Sequence, residues 1–106
     1  HSPSENTKKL SKLVKNKIET ATIDVKLITL NLIEANTSSF KEIDGLIIGT
    51  TENFGYMSGL TKDFFDRCYD DLKDKTEGLP IMYYVRAGLE GEGCKVSLNK
   101  ILIVLR

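Results

Sequence analysis

Three stretches of this chain gather the residue types that hold small ligands. The first is His1-Ser2-Pro3-Ser4-Glu5-Asn6-Thr7, rich in hydroxyl and amide groups and running straight into a helical pattern. Backbone N–H groups in the first turn of a helix lack intrahelical acceptors, and the helix dipole adds partial positive charge there. Such a start suits a phosphate, with Ser2, Ser4, Asn6 and Thr7 able to donate from side chain and backbone. The second stretch is Thr50-Thr51-Glu52-Asn53-Phe54-Gly55-Tyr56-Met57-Ser58-Gly59, which mixes donors, an amide, two aromatics and two glycines. A flat aromatic ligand wants that mixture, an apolar wall with a few polar groups along the ring edge. The third is Arg86-Ala87-Gly88-Leu89-Glu90-Gly91-Glu92-Gly93, whose glycines let backbone approach a ligand closely.

Each stretch also has a plain structural reading. A hydroxyl-rich helix start is what an ordinary capped helix looks like. The second stretch also reads as a surface loop with locally packed aromatics, and the third as a flexible turn before a helix. Two well-known phosphate signatures are missing from the sequence. Gly88, Gly91 and Gly93 do not make GxGxxG, and GxxxxGK[ST] occurs nowhere.

The elements that must position these stretches follow from hydrophobic periodicity. Leu10, Leu13, Val14 and Ile18 predict a helix from about Glu5 to Lys17, with Ser4 as its N-cap. Ile23 to Leu30 alternates and then turns apolar, which predicts a strand. Asn36 to Glu42 reads as a short helix, and Gly45 to Thr50 as a strand covered on both faces. Thr51 to Gly59 reads as a polar and aromatic loop. Leu60, Phe64, Phe65, Cys68, Tyr69 and Leu72 then mark one face of a helix whose other face is charged. After a polar turn from Lys73 to Gly78, Pro80 opens a strand over Ile81 to Val85. A last helix is predicted from about Gly93 to Arg106. Its segment Ile101 to Leu105 is dense enough in β-branched residues to suit a strand, but the helical stripe begins upstream at Leu98.

Alternation of strands and helices implies an α/β fold with a parallel sheet, helices on both faces and right-handed crossovers. In such sheets ligands sit at the carboxyl ends of the strands. That rule selects the same three stretches as their composition does.

Composition narrows the function further. The chain has 106 residues and 41% apolar content, enough for one domain with a real core. Lys and Arg number 15, as do Asp and Glu, and zero net charge argues against a nucleic-acid partner. Cys68 and Cys94 are far apart in sequence and read as reduced thiols in a cytoplasmic protein. No apolar run approaches the roughly 20 residues of a membrane span. Asp63, Asp66, Asp70 and Asp71 read as a solvated helix face rather than a metal site, and His1, the single histidine, has no catalytic motif around it.

Gly49 to Gly59, followed by Lys62-Asp63-Phe64-Phe65-Asp66-Arg67, resembles the flavin loop and next helix of the flavodoxin-like family. The resemblance is nearest the branch of NAD(P)H-dependent FMN reductases and quinone reductases. Gly78-Leu79-Pro80 into a strand, then Arg86-Ala87-Gly88 and Gly91-Glu92-Gly93, resembles the next strand and loop of that branch. His1 to Lys8 resembles its phosphate loop, with Glu5 or Asn6 where a glycine is usual. Nearly the whole chain is covered, and Cys94 to Arg106 matches the fourth helix.

The resemblance implies a flavodoxin-like three-layer sandwich with a parallel sheet of order 2-1-3-4-5 when complete. It also implies that residues 1–106 are a single domain truncated at both ends, lacking the first strand and the last strand and helix. FMN is the implied cofactor. Ser2, Ser4, Glu5, Asn6 and Thr7 would hold its phosphate, with Glu5 and Asn6 acting through backbone N–H. Thr50, Thr51, Glu52, Asn53, Phe54, Gly55 and Tyr56 would line the ring system, and Ala87, Gly88 and Gly91 would approach its other edge. No side chain is required as a catalytic acid or base. The expected activity is electron transfer from NAD(P)H to a quinone or similar acceptor, in a chain that can also form a homo-oligomer. Two other readings stay open at this point: an electron carrier that docks to a redox protein, and a cofactor-free interaction module.

Overall fold

The computed structural model describes every residue except Thr22, Ile23, Asp74 and Arg106. Helix α1 spans Glu5–Ala21, and a single 3-10 turn follows at Thr37–Phe40. Strand β1 spans Leu46–Asn53, β2 Tyr56–Met57 and β3 Ile81–Arg86, with helix α2 at Gly59–Leu72 and helix α3 at Glu92–Val104. The sheet order is β2-β1-β3. β1 and β3 run parallel in a register from Leu46 opposite Ile81 to Thr51 opposite Arg86, whereas β2 returns antiparallel against Glu52 and Asn53. The fold is α/β, and the parallel β1–β3 pair is the crossover unit that alternation predicts.

Side chains alternate across the sheet, so its two faces differ. Ile48 belongs to one core cluster with Phe64, Phe65, Cys68 and Leu72 of α2 and Leu98 and Leu102 of α3, and Ile81, Tyr83 and Val85 pack against that cluster. The opposite face carries Ile47 and Met82, both exposed, and there the Tyr84 ring lies over Gly49. A Cβ at position 49 would collide with that ring, which is why glycine stands there. Coverage by α2 and α3 is therefore confined to one face. The two helices are joined at their ends by Thr76, whose hydroxyl lies 3.1 Å from the Leu72 carbonyl and 2.6 Å from that of Leu105.

Four expectations change. The strand expected over Gly45 to Thr50 with both faces covered runs from Leu46 to Asn53 and is covered by α2 and α3 on the Ile48 face alone, leaving Ile47 exposed on the other. The strand expected over Ile23 to Leu30 is not found: Ile23 lies outside the described residues, and residues 24–30 have no regular secondary structure and join no ladder. Val25, Ile28 and Leu30 stay exposed. Alternation supplies a pleat, but a strand also needs a hydrogen-bonding neighbour. The expected loop over Thr51 to Gly59 is instead a hairpin, because β1 continues to Asn53 and turns on Phe54-Gly55 into β2. The expected helix at Asn36 to Glu42 shrinks to the 3-10 turn, capped by the Asn36 side chain on Ser38 N–H. Segment Ile101 to Val104 is helical, as the upstream stripe indicates, while Arg106 lies outside the described residues.

Candidate functional site

The opening segment folds as a capped helix start. Thr7 N–H donates to Ser4 Oγ at 3.3 Å, and Ser4 N–H donates to Thr7 Oγ1 at 2.9 Å. This reciprocal pair uses up the donor and hydroxyl of Ser4 and buries Thr7, the single buried side chain of α1. It leaves the first-turn N–H groups of Glu5 and Asn6 with no acceptor among the described residues. Ser2 is half-buried, and Asn6 is exposed. The His1 backbone nitrogen donates to the Gly49 carbonyl at 2.7 Å, which brings this segment against the middle of β1.

The second stretch is built from the inside out. Thr50, Ser58 and Thr61 are buried, and their hydroxyls bond to one another, with Thr50 Oγ1 to Thr61 Oγ1 at 2.5 Å and Ser58 Oγ to Thr61 Oγ1 at 2.7 Å. Ser58 also accepts from Thr61 N–H as the N-cap of α2. The Thr50 side chain is thus committed to the helix start, and the residue itself stands in the parallel ladder opposite Val85. Thr51 donates to Asn53 Oδ1 at 3.2 Å. Phe54 and Gly55 turn the chain with φ of +53° and +73°. A two-residue hairpin turn with both φ positive favours Asn-Gly, and a bulky residue in the left-handed region is strained. Phe54 adopts it with its side chain fully in solvent, and Tyr56 beside it is exposed.

The third stretch meets the second at the start of α3. The N-cap of α3 is Gly91, at φ +73°, which has no side chain with which to cap. The acceptor arrives from β1 instead: Glu52 Oε2 lies 2.9 Å from the Cys94 N–H it accepts. Gly93 touches the hairpin turn so closely that a Cβ there would collide with the Gly55 carbonyl. Cys94 is wholly buried, and burial, then the nearby Glu52 charge, pushes its thiol up to about 11. Burial also raises the Cys68 thiol.

Two hollows flank these contacts. One of about 420 Å³ is lined by Leu10 of α1, Tyr83, Val85, Ala87, Gly91 and Lys95. The other, about 440 Å³, lies between the hairpin and α3, with Gly55, Tyr56, Lys62, Gly93 and Lys100 on its walls. The structure therefore gathers Ala87 and Gly91 beside α1, and gathers Gly55 and Tyr56 in a separate hollow. Gly88 is exposed with open space about it.

Sequence reading missed the Ser58–Thr61 cap, although Ser58 two residues ahead of the apolar Leu60 is a usable capping signal. It also missed Gly93 as a contact and Arg67 as a clamp. Arg67 donates to the carbonyls of Leu32 and Ala35 at 2.7 and 3.0 Å and pairs with Asp63 at 2.7 Å. That places Asp63 in an ion pair on the helix face. No cluster of metal-ligating side chains and no helix long and apolar enough to cross a membrane occurs among the described residues.

No curated protein and no solved structure matches the chain. A family model does, described as NADPH-dependent FMN reductase, and it spans residues 1–106. FMN is the cofactor of that family. The residues present fit it: unpartnered first-turn N–H groups at α1 suit a phosphate, and a strained hairpin displays aromatics at the carboxyl end of β1. On the match over its whole length, the chain belongs to the NADPH-dependent FMN reductase family.

Proposed function

We propose that the protein passes electrons from NAD(P)H to a quinone or similar acceptor through FMN held at the carboxyl ends of β1 and β3. FMN, when bound, supplies the hydride-accepting and electron-passing chemistry. The chain's own work is to bind, orient and shield. Backbone N–H of Glu5 and Asn6, with Ser2 beside them, would hold the phosphate, while the Ser4–Thr7 pair, its hydroxyls already engaged, keeps that turn in shape. The segment Thr50 to Tyr56 would line the ring, with Phe54 and Tyr56 as its apolar part. Ala87, Gly88 and Gly91 would bring backbone to the other edge. Main-chain donors at that edge favour negative charge arriving there, with no proton held by a side chain.

The observation that carries this reading is the convergence of the three stretches. Register sets Thr51 beside Arg86, so the second and third stretches leave the sheet at the same end. The His1–Gly49 bond draws the first stretch toward them. The 106 residues are read as one flavodoxin-like domain, and the two free thiols suit the cytoplasm.

The test follows NADPH consumption by the FMN-loaded protein with and without a benzoquinone. Quinone-dependent turnover well above the free-FMN background is expected. A background rate with quinone, together with fast reduction of a protein acceptor, would replace this reading with that of an electron carrier.

A further inference from the structure

We infer that Glu52 is a positioning residue: its carboxylate ties the β1–β2 hairpin to the start of α3 and so sets the spacing between the two backbone walls of the flavin-ring site. The inference rests on the proposed ring site and adds a role that residue type alone does not suggest. A carboxylate facing the ring would oppose negative charge arriving there. Here Glu52 Oε2 instead accepts from Cys94 N–H at 2.9 Å.

The N-terminus of α3 needs that acceptor. Its N-cap is a left-handed glycine with no side-chain hydrogen bond, and Lys95 N–H is the donor that reaches Gly91 O. Cys94 stands three positions after the cap, where an N-cap side chain would ordinarily accept. A residue 42 positions earlier in the sequence fills that role. The positive end of the helix dipole favours the carboxylate there.

A second contact marks the same joint. Gly93 lies so close to Gly55 that a Cβ would run into the carbonyl oxygen, with Gly55 Cα also within 3.1 Å of it. The hairpin turn and the first turn of α3 therefore meet backbone to backbone. Hydrogen bond and close approach lie on either side of the Gly93–Cys94 peptide. Either one lost lets the hairpin and the 86–93 loop separate.

The test uses Glu52→Ala, Glu52→Gln and Gly93→Ala, with two readouts. The first is affinity for FMN and for riboflavin, from quenching of flavin fluorescence. Glu52→Ala and Gly93→Ala should each weaken both flavins by about tenfold and in equal proportion, because the phosphate end is untouched. Glu52→Gln keeps an acceptor oxygen and should recover most of the affinity that Glu52→Ala loses. The second readout needs no flavin: the pH profile of Cys94 alkylation in a Cys68→Ser background. Both Glu52 variants should move that profile to lower pH, and Glu52→Ala should also raise the rate by opening the joint.

Equal flavin affinity in Glu52→Ala and the parent overturns the inference. So does a Glu52→Gln variant as impaired as Glu52→Ala, which would assign the effect to charge. If the parent binds neither flavin, the ring-site reading fails first. The alkylation rates then judge the tether alone, and a Glu52→Ala profile identical to the parent's overturns it.

Discussion

From Leu46 to Leu105 the chain is packed around a shared core, whereas in residues 1–34 the single buried side chain among those described is Thr7. The two regions hold opposite ends of the same proposed ligand. The ring side rests on a parallel strand pair, a buried hydroxyl triad and a backbone-to-backbone joint at Gly93. The phosphate side rests on one capped helix, attached through the His1–Gly49 bond and the edge of a hollow at Leu10. Rigid positioning therefore belongs to the ring, and the phosphate grip depends on local capping. Local opening should follow the same divide, with α1 the earlier to exchange its amide hydrogens.

The largest contrast should appear in the cores. Phe65→Ala removes a side chain that is 2% exposed between α2 and the sheet and should cost about 3–5 kcal/mol. Leu13→Ala on α1, where the side chain is 55% exposed, should stay within about 0.5 kcal/mol. Urea unfolding of both variants checks the pair, and equal losses would erase the distinction between the regions.

Next is the hydroxyl triad. Thr61→Val leaves Ser58 and Thr50 without their shared partner and should destabilise by about 1–3 kcal/mol. Ser4→Ala acts on the other region, and loss of that cap should cost about 1 kcal/mol. It should also weaken FMN more than riboflavin, because riboflavin lacks the phosphate. Comparing the two ligands separates a local grip from general unfolding.

Phe54 gives a smaller effect of opposite signs. Phe54→Asn suits the positive φ of the turn and should raise stability by up to about 1 kcal/mol, while removing an aromatic from the ring wall lowers flavin affinity. A variant both less stable and equally tight for flavin would show that the turn is shaped for packing.

The last effect is pH-dependent. The folded pKa of Cys94 lies above its unfolded value, so the folded state keeps a proton that the unfolded state releases. Its contribution to stability is complete below about pH 9 and is lost as pH rises toward 11. Thermal unfolding of Cys94→Ser should lack that component of the alkaline slope.

The order of elements was legible from periodicity because α2, α3, β1 and β3 each bury a stripe that their spacing declares. The segment around Val25 was misread because its alternation is real while its pairing neighbour is not in the described structure. The hairpin was hidden because Phe54 occupies a turn position that chemistry reserves for Asn or Gly. Residue type together with the rule for strand ends picks out the three stretches proposed to hold the ligand, and register brings the second and third to one end of the sheet. Glu52 was named as lining the ring, but its side chain serves α3. That contact joins residues far apart in sequence, and no local pattern encodes it.

The central claim is that the three stretches make one FMN site with distinct phosphate and ring ends. Titrating the protein with FMN and with riboflavin, followed by flavin fluorescence, tests it most directly. The account predicts saturable one-to-one quenching by the protein, with FMN at least tenfold tighter than riboflavin. Linear, unsaturable quenching, or equal affinity for the two flavins, would contradict it.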